Sequence, residues 1–243
     1  MKIVYYGTGM CGKTTNLQYL HAVTKPDYRG KLLSVDTAED RTLFFDLMPM
    51  ELGAFKGYSV RLHLCTVPGQ AAFDNTRRMI LRGVDGVVFV ADSQRAVQLQ
   101  NHRSMASLRS NLCRQGVDPE AIPLVVQYNK RDLPNGVAVE EMRQNLRIAR
   151  DTVQVEACAN LGVGVSSTLK TIIKGVLEAV GDPSQLPEGR SASIIPGVRA
   201  SLMPQAAPAV AQMRSDPGSG AVVIPKAPAL PTFEQTAPLA KVS

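Results

Sequence analysis

Only four of the 243 residues are cysteine (Cys11, Cys65, Cys113 and Cys158), and no two form a CxxC pair. That excludes a disulfide-stapled scaffold and a thiolate zinc site, and it fits reduced thiols in a cytosolic compartment. Histidine is scarcer still: His21, His63 and His102 share no ligand spacing, so no histidine metal site is expected. The net charge is +6 and the pI about 9.3, yet Lys and Arg are scattered. No run of about five like charges occurs, which argues against a nucleic-acid arm. The longest apolar runs, such as GVVFVA at 86–91, are far shorter than the roughly 20 residues of a membrane-spanning helix. MKIVYYG at the start has neither the pattern of a signal peptide nor a second-position glycine, and AKVS at the end has no prenylation cysteine. Any membrane contact is therefore expected through a partner or an amphipathic surface.

What is present is enough apolar material, 44% of the chain, to bury a core. Over residues 1–181, short apolar runs alternate with stretches of helical periodicity. Strands are expected at 2–6, 31–35, 60–67, 86–91, 123–128 and 152–156, and helices at about 13–24, 74–82, 97–115, 138–149 and 165–180. Alternation with near-continuous apolar strands predicts an α/β fold, a mostly parallel six-stranded sheet flanked by about five helices, with ligands at the carboxyl ends of the strands. Arg77, Arg78 and Arg82 can fall on one helical face, as can Arg143, Arg147 and Arg150; both sets read as solvated faces or as a surface for a partner or an acidic lipid surface. Residues 182–243 change character, holding ten of the sixteen prolines, a single phenylalanine and nine charges that nearly cancel. Such a stretch cannot bury enough surface to offset its ordering entropy, so it reads as a disordered tail. Within it, AVVIPKAPALP at 221–231 is the most apolar part, either passive or a short docking segment.

GTGMCGKT at 7–14 matches G-x-x-x-x-G-K-[ST], between an apolar strand and a helical stretch. Gly7, Gly9 and Gly12 let the backbone curl so that its N–H groups face α and β phosphates, and the helix N-terminus adds partial positive charge. Lys13 then reaches the β and γ phosphates, Thr14 offers its hydroxyl to Mg²⁺, and Thr15 beside it is a further nucleotide contact. Asn129, Lys130 and Asp132 in NKRD follow the apolar run PLVVQY. A carboxylate there can take two hydrogen bonds from guanine, and adenine would leave Asp132 buried and unpaired at about 1–3 kcal/mol or more. A third base-binding element is weaker: in EACAN at 156–160 only Ala159 fits, its backbone N–H expected near the guanine.

Together these segments resemble the Ras-like small GTPases, and more closely the bacterial MglA-type polarity GTPases. The residues that carry the likeness are MKIVYYG, CGKTTNLQY, DRTLFFD, LCTVPGQ, GVDGVVFVADSQ and YNKRDLPN, in order over residues 1 to about 180. The resemblance implies a three-layer P-loop NTPase fold, a G domain over 1–181, bound GTP or GDP with Mg²⁺, and a molecular switch that hydrolyses GTP slowly unless stimulated. It also implies a homodimeric Roadblock/LC7-type activating partner, effectors of unknown identity, and a role in cell polarity or gliding motility with recruitment to a cell pole. The proline-rich tail has no counterpart in that pattern.

Ras-type sequences carry an aspartate three residues before the Gly-Gln pair, and here that position is Thr66. MglA-type proteins look similar at this point, so the site reads as built differently: Thr66 can hydrogen-bond a metal-bound water but contributes no charge, and modest Mg²⁺ affinity is expected. Gly69 and Gln70 follow, with Gln70 orienting the attacking water. DRTLFFD at 40–46 reads as a switch loop; Arg41 has the geometry of an arginine finger, which the resemblance implies works in cis once the loop moves, and Thr42, or alternatively Thr37, senses the γ phosphate and Mg²⁺. Phe44 and Phe45 read as switch hydrophobics. A second reading stays open, a nucleotide-holding adaptor with negligible turnover that acts as a scaffold through its tail.

Overall fold

A computed structural model describes residues 1–36, 44–55 and 58–181. The candidates Arg41, Thr42 and Thr37 and the whole 182–243 segment lie outside the described residues. The elements run β1 (Lys2–Gly7), α1 (Lys13–Val23), β2 (Leu33–Asp36), β3 (Phe44–Phe55), β4 (Tyr58–Thr66), α2 (Asp74–Leu81), β5 (Gly86–Asp92), α3 (Gln98–Cys113), β6 (Leu124–Asn129), α4 (Val139–Asn145), β7 (Val153–Glu156) and α5 (Val165–Val180).

The strands form one sheet in the order β2-β3-β4-β1-β5-β6-β7. From β4 to β7 all neighbours are parallel, while β3 runs antiparallel to both β2 and β4. Every residue of β1 and β5 is buried, as expected for strands covered on both faces. Side chains alternate across the sheet. Ile3, Tyr5, Val88 and Val90 pack with Leu17 of α1 and Leu169 and Ile172 of α5. Val4, Tyr6, Val87 and Phe89 pack on the other side with Ile80 of α2, Met105 and Leu108 of α3 and Met142 of α4. Each fully buried side chain of this size contributes about 1.5–3 kcal/mol, and the two cores fix the sheet between its helix layers.

The five helices fall where the periodicity places them, but the sheet has seven strands rather than six. The additional strand, β3, begins inside the segment read as a switch loop, so residues 44–46 are strand. Pro49 and Gly53 mask it in the sequence, since both argue against a strand interior. Pro49 sits just past the last β2 pair, Leu33↔Leu47, where its carbonyl accepts a hydrogen bond from the Gly30 N–H at 2.8 Å. Gly53 lies at positive φ in a register irregularity between Glu51 and Ala54.

Candidate functional site

The carboxyl ends of β1, β4, β5 and β6 lie side by side, and the loop from β1 to α1 curls over them. Gly7 closes β1 and Gly12 caps α1 with φ +102°. A β-carbon on Gly12 would overlap the Asn129 side chain, so this position admits only glycine. Lys13 is buried within the loop, donating to the carbonyl oxygens of Gly7 (3.1 Å) and Thr8. Asn16, one turn further, is wholly buried and exchanges a pair of 2.9 Å amide hydrogen bonds with Gln127 of β6. Gln127 also donates to Thr168 of α5 at 3.0 Å, so the start of α1 is tied through the sheet to α5.

A cavity of about 510 Å³ opens beside this loop, lined among others by Gly9, Lys13, Thr14, Asp46, Thr66 and Gln70. Thr14 does present its hydroxyl here, and the acceptor is Asp46 Oδ2 at 2.6 Å. Thr66 is 3% exposed and donates to the same oxygen at 3.0 Å, while Ser34 of β2 donates to Oδ1 at 2.7 Å. The Asp46 backbone N–H in turn donates to Thr66 Oγ1 at 2.8 Å. Asp46 is 7% exposed and makes no ion pair with a basic side chain among the described residues. A buried carboxylate held only by hydroxyl donors is expensive unless a cation joins it.

Thr66 brings no charge of its own, as expected, yet the corner holds a carboxylate. The carboxylate is there, supplied by the antiparallel neighbour strand β3 instead of β4. Sequence reading missed Asp46 and Ser34 because β3 itself was hidden; the usable signal was the alternation FFDLM at 44–48, which sets Asp46 on the face opposite Phe45. Phe45, read as a switch hydrophobic, is 4% exposed and joins the core on the β1 Tyr6 side.

After β4 the chain passes Val67 and Pro68 to Gly69, whose position is pressed against Gly9: a β-carbon at Gly69 would strike the Gly9 backbone. Gln70 is exposed and lines the cavity, with its carbonyl fixed by Phe73 N–H (3.2 Å) and by Arg77 Nη1 (3.2 Å). Arg77 is therefore not part of a solvated face. It is 6% exposed and pairs with Asp74 at 3.3 Å. Three hydrogen bonds anchor Asp74, and those from Asn111 and Arg77 hold its carboxyl below the usual range.

On the other side of the loop the NKRD residues gather. Asn129 is 2% exposed; its amide donates to the Cys11 carbonyl (2.8 Å) and its oxygen accepts from the Ala159 N–H (2.9 Å). The Ala159 N–H, expected to face a base, is thus engaged by Asn129, which clamps the 7–14 loop to the 156–160 loop. Lys130 has φ +65° and pairs with the buried Asp92 at 2.6 Å. Asp132 is exposed, not buried as the guanine reading expects; at Cys158, burial first and the Asp132 carboxylate second push the thiol pKa up. Cys158 and Asp92 were both missed in the sequence: a cysteine is a weak donor standing where a serine would be looked for. Thr15, the third residue of α1, is half-buried.

Two clusters thus emerge. Lys13, Thr14, Thr66, Gly69 and Gln70 share the cavity with Asp46, and Asn129, Lys130, Asp132 and Ala159 form a second group joined to it through Cys11. Among the described residues no helix is long and apolar enough to cross a membrane.

The ADP-ribosylation factor family matches residues 1–176. Mutual gliding-motility protein MglA of Myxococcus xanthus is 56% identical over 176 residues, which is 72% of this chain and 90% of that protein. Elongation factor 4 from Exiguobacterium sp. and from Bacillus cereus is 27% identical over 175 and 176 residues, 70% of this chain but only 27% of those proteins. That likeness is confined to one part of a longer molecule.

Proposed function

The chain belongs to the ADP-ribosylation factor family as an MglA-type small GTPase, and from that premise we propose that it is a switch in bacterial cell polarity or gliding motility. GTP hydrolysis to GDP and phosphate is the activity of the family. The observation that carries our reading of the site is the convergence of Lys13, Thr14, Asp46 and Gln70 on one cavity beside a glycine-rich loop.

Lys13 and the N–H groups of 7–14 would bind the β and γ phosphates, positioning being most of what phosphoryl transfer to water asks of a protein. Mg²⁺ fits the donor set, because the buried Asp46 carboxylate lacks a basic partner among the described residues and stands next to the Thr14 hydroxyl. Thr14 and Asp46, with Thr42 from the 37–43 segment, would hold it. Bound there, it would supply positive charge to offset the charge on the phosphate oxygens. Thr66 and Ser34 keep the Asp46 carboxylate oriented. Gln70 orients the attacking water, its backbone already anchored by Arg77. Arg41 would reach the phosphates from within the same chain when a Roadblock/LC7-type homodimer moves its loop, a contribution typically worth about 10³–10⁵ in rate. Asp132 would select guanine, with Cys158 and the Asn129 clamp setting its position. Recruitment to a cell pole would run through partners.

Single-turnover phosphate release from the GTP-loaded full chain, with and without a Roadblock/LC7-type homodimer, tests this. The partner should accelerate release, and Arg41→Ala or Gln70→Ala should abolish most of the acceleration while GTP binding stays within a few fold. Equal stimulation of Arg41→Ala and the parent would show that the arginine is not supplied in cis.

A further inference from the structure

A second cavity, of about 300 Å³, lies on the far side of the Gly9–Gly69 contact from the first. Thr8, Arg77, Gln100, Arg103, Ser104 and Ser107 supply its polar lining, and GTP hydrolysis as described uses none of these side chains directly, Thr8 entering the phosphate loop through its backbone alone. Thr8 and Ser104 are 7% and 8% exposed, and neither hydroxyl has a hydrogen-bond partner among the described residues. Buried polar groups are ordinarily paired, so two unpaired hydroxyls in one small cavity point to a ligand that pairs them. The charged side chains that line the space are both basic, although Asp74, outside the lining, already pairs with Arg77 at 3.3 Å and accepts from Ser107. Arg77 is buried there, Arg103 is exposed and makes no ion pair among the described residues, and no carboxylate lines the space. Guanidinium groups with hydroxyl and amide donors suit a carboxylate or phosphate.

We propose that this cavity is a second ligand site, one that takes a small oxyanion, a carboxylate or a phosphate, beside the nucleotide. Arg77 connects it to the reaction, because the same guanidinium holds the Gln70 carbonyl at 3.2 Å. An anion drawing on Arg77 changes how firmly Gln70 is held, so occupancy reaches the hydrolytic water without touching the nucleotide.

The test uses the full chain loaded with GDP and Mg²⁺, so that the phosphate loop is filled, and titrates inorganic phosphate and malonate in separate arms. Chloride at matched ionic strength is the control. Nitrogen-15 NMR reads the Ser104 and Gln70 amides and the Arg77 Nε–H. At least one oxyanion should give saturable shifts at these signals, and the arm that does so identifies the chemistry. Arg103→Ala, an exposed change that leaves the fold intact, should weaken that binding at least tenfold, and Ser104→Val should weaken it by removing one of the two unpaired hydroxyls. Shifts that never saturate in either arm, or that match chloride, overturn the proposal. So do saturable shifts that persist unchanged in Arg103→Ala, and so do shifts that appear only in protein that has lost its GDP, which would place the probe in the phosphate loop. GDP content measured on each sample keeps a failure of this site distinct from a failure of the nucleotide site.

Discussion

The Thr66 hydroxyl donates to Asp46 Oδ2 at 3.0 Å and accepts from the Asp46 backbone N–H at 2.8 Å, so the residue at the end of β4 grips a carboxylate on the adjacent strand instead of carrying one. The acid beside Thr14 is supplied by β3.

Restoring an acid at the β4 position should therefore harm the site. In Thr66→Asp two carboxylates meet about 4 Å apart, a repulsion on the order of 4 kcal/mol at an effective dielectric of 20. One of the pair should then titrate above the ordinary carboxylate range. Thermal unfolding at pH 7.5 should show a clear loss of melting temperature that lessens toward pH 5, where one carboxyl is protonated. An equal or higher melting temperature at pH 7.5 would contradict the packing of Asp46 on Thr66.

Asn129 joins two loops that the sequence separates by more than a hundred residues. Asn129→Ala leaves the Cys11 carbonyl and the Ala159 N–H without their partner, about 1–3 kcal/mol for each buried group. At about 2–4 °C per kcal/mol for a domain of this size, the melting temperature should fall by roughly 4–24 °C. Calorimetry of the nucleotide-free protein isolates this structural role from any contact with a base; a change under about 2 °C would show that the clamp contributes little.

Base selection is predicted to rest on Asp132. Asp132→Asn exchanges an acceptor for a donor, so GTP affinity should fall by about an order of magnitude or more while xanthosine triphosphate gains. Cys158→Ser should preserve guanine preference, since the hydroxyl is a better donor to Asp132 than the thiol, and Cys158→Val should weaken it. Competition binding with the two nucleotides measures both; unchanged GTP affinity in Asp132→Asn would remove the assignment.

These relationships differ in how far the sequence reveals them. The central strands β1 and β5 are legible because burial on both faces demands unbroken apolar runs, and the loop 7–14 is legible because its glycines and Lys13 are fixed by local geometry. The pairing of Asn129 with Cys11 and Ala159 is long-range and leaves no local pattern. Asp46 was hidden for a different reason: Pro49 and Gly53 weaken the strand signal just beyond it, and an acid expected on one strand gives no hint that a neighbour supplies it. Arg77 looked solvated because helical spacing alone does not say which face meets α3. Cys158 was passed over because a thiol seldom substitutes for a hydroxyl donor.

The Mg²⁺ dependence of single-turnover GTP hydrolysis in the parent and in Asp46→Asn tests the role of Asp46 directly. The amide keeps the shape of the side chain and can still accept from Thr14 or Thr66, but it removes the one buried negative charge that lines the cavity among the described residues. If Asp46 supplies the carboxylate of the metal corner, the variant should need at least tenfold more Mg²⁺ for half-maximal hydrolysis, with a melting temperature close to the parent's. The same Mg²⁺ requirement in both proteins would contradict that claim.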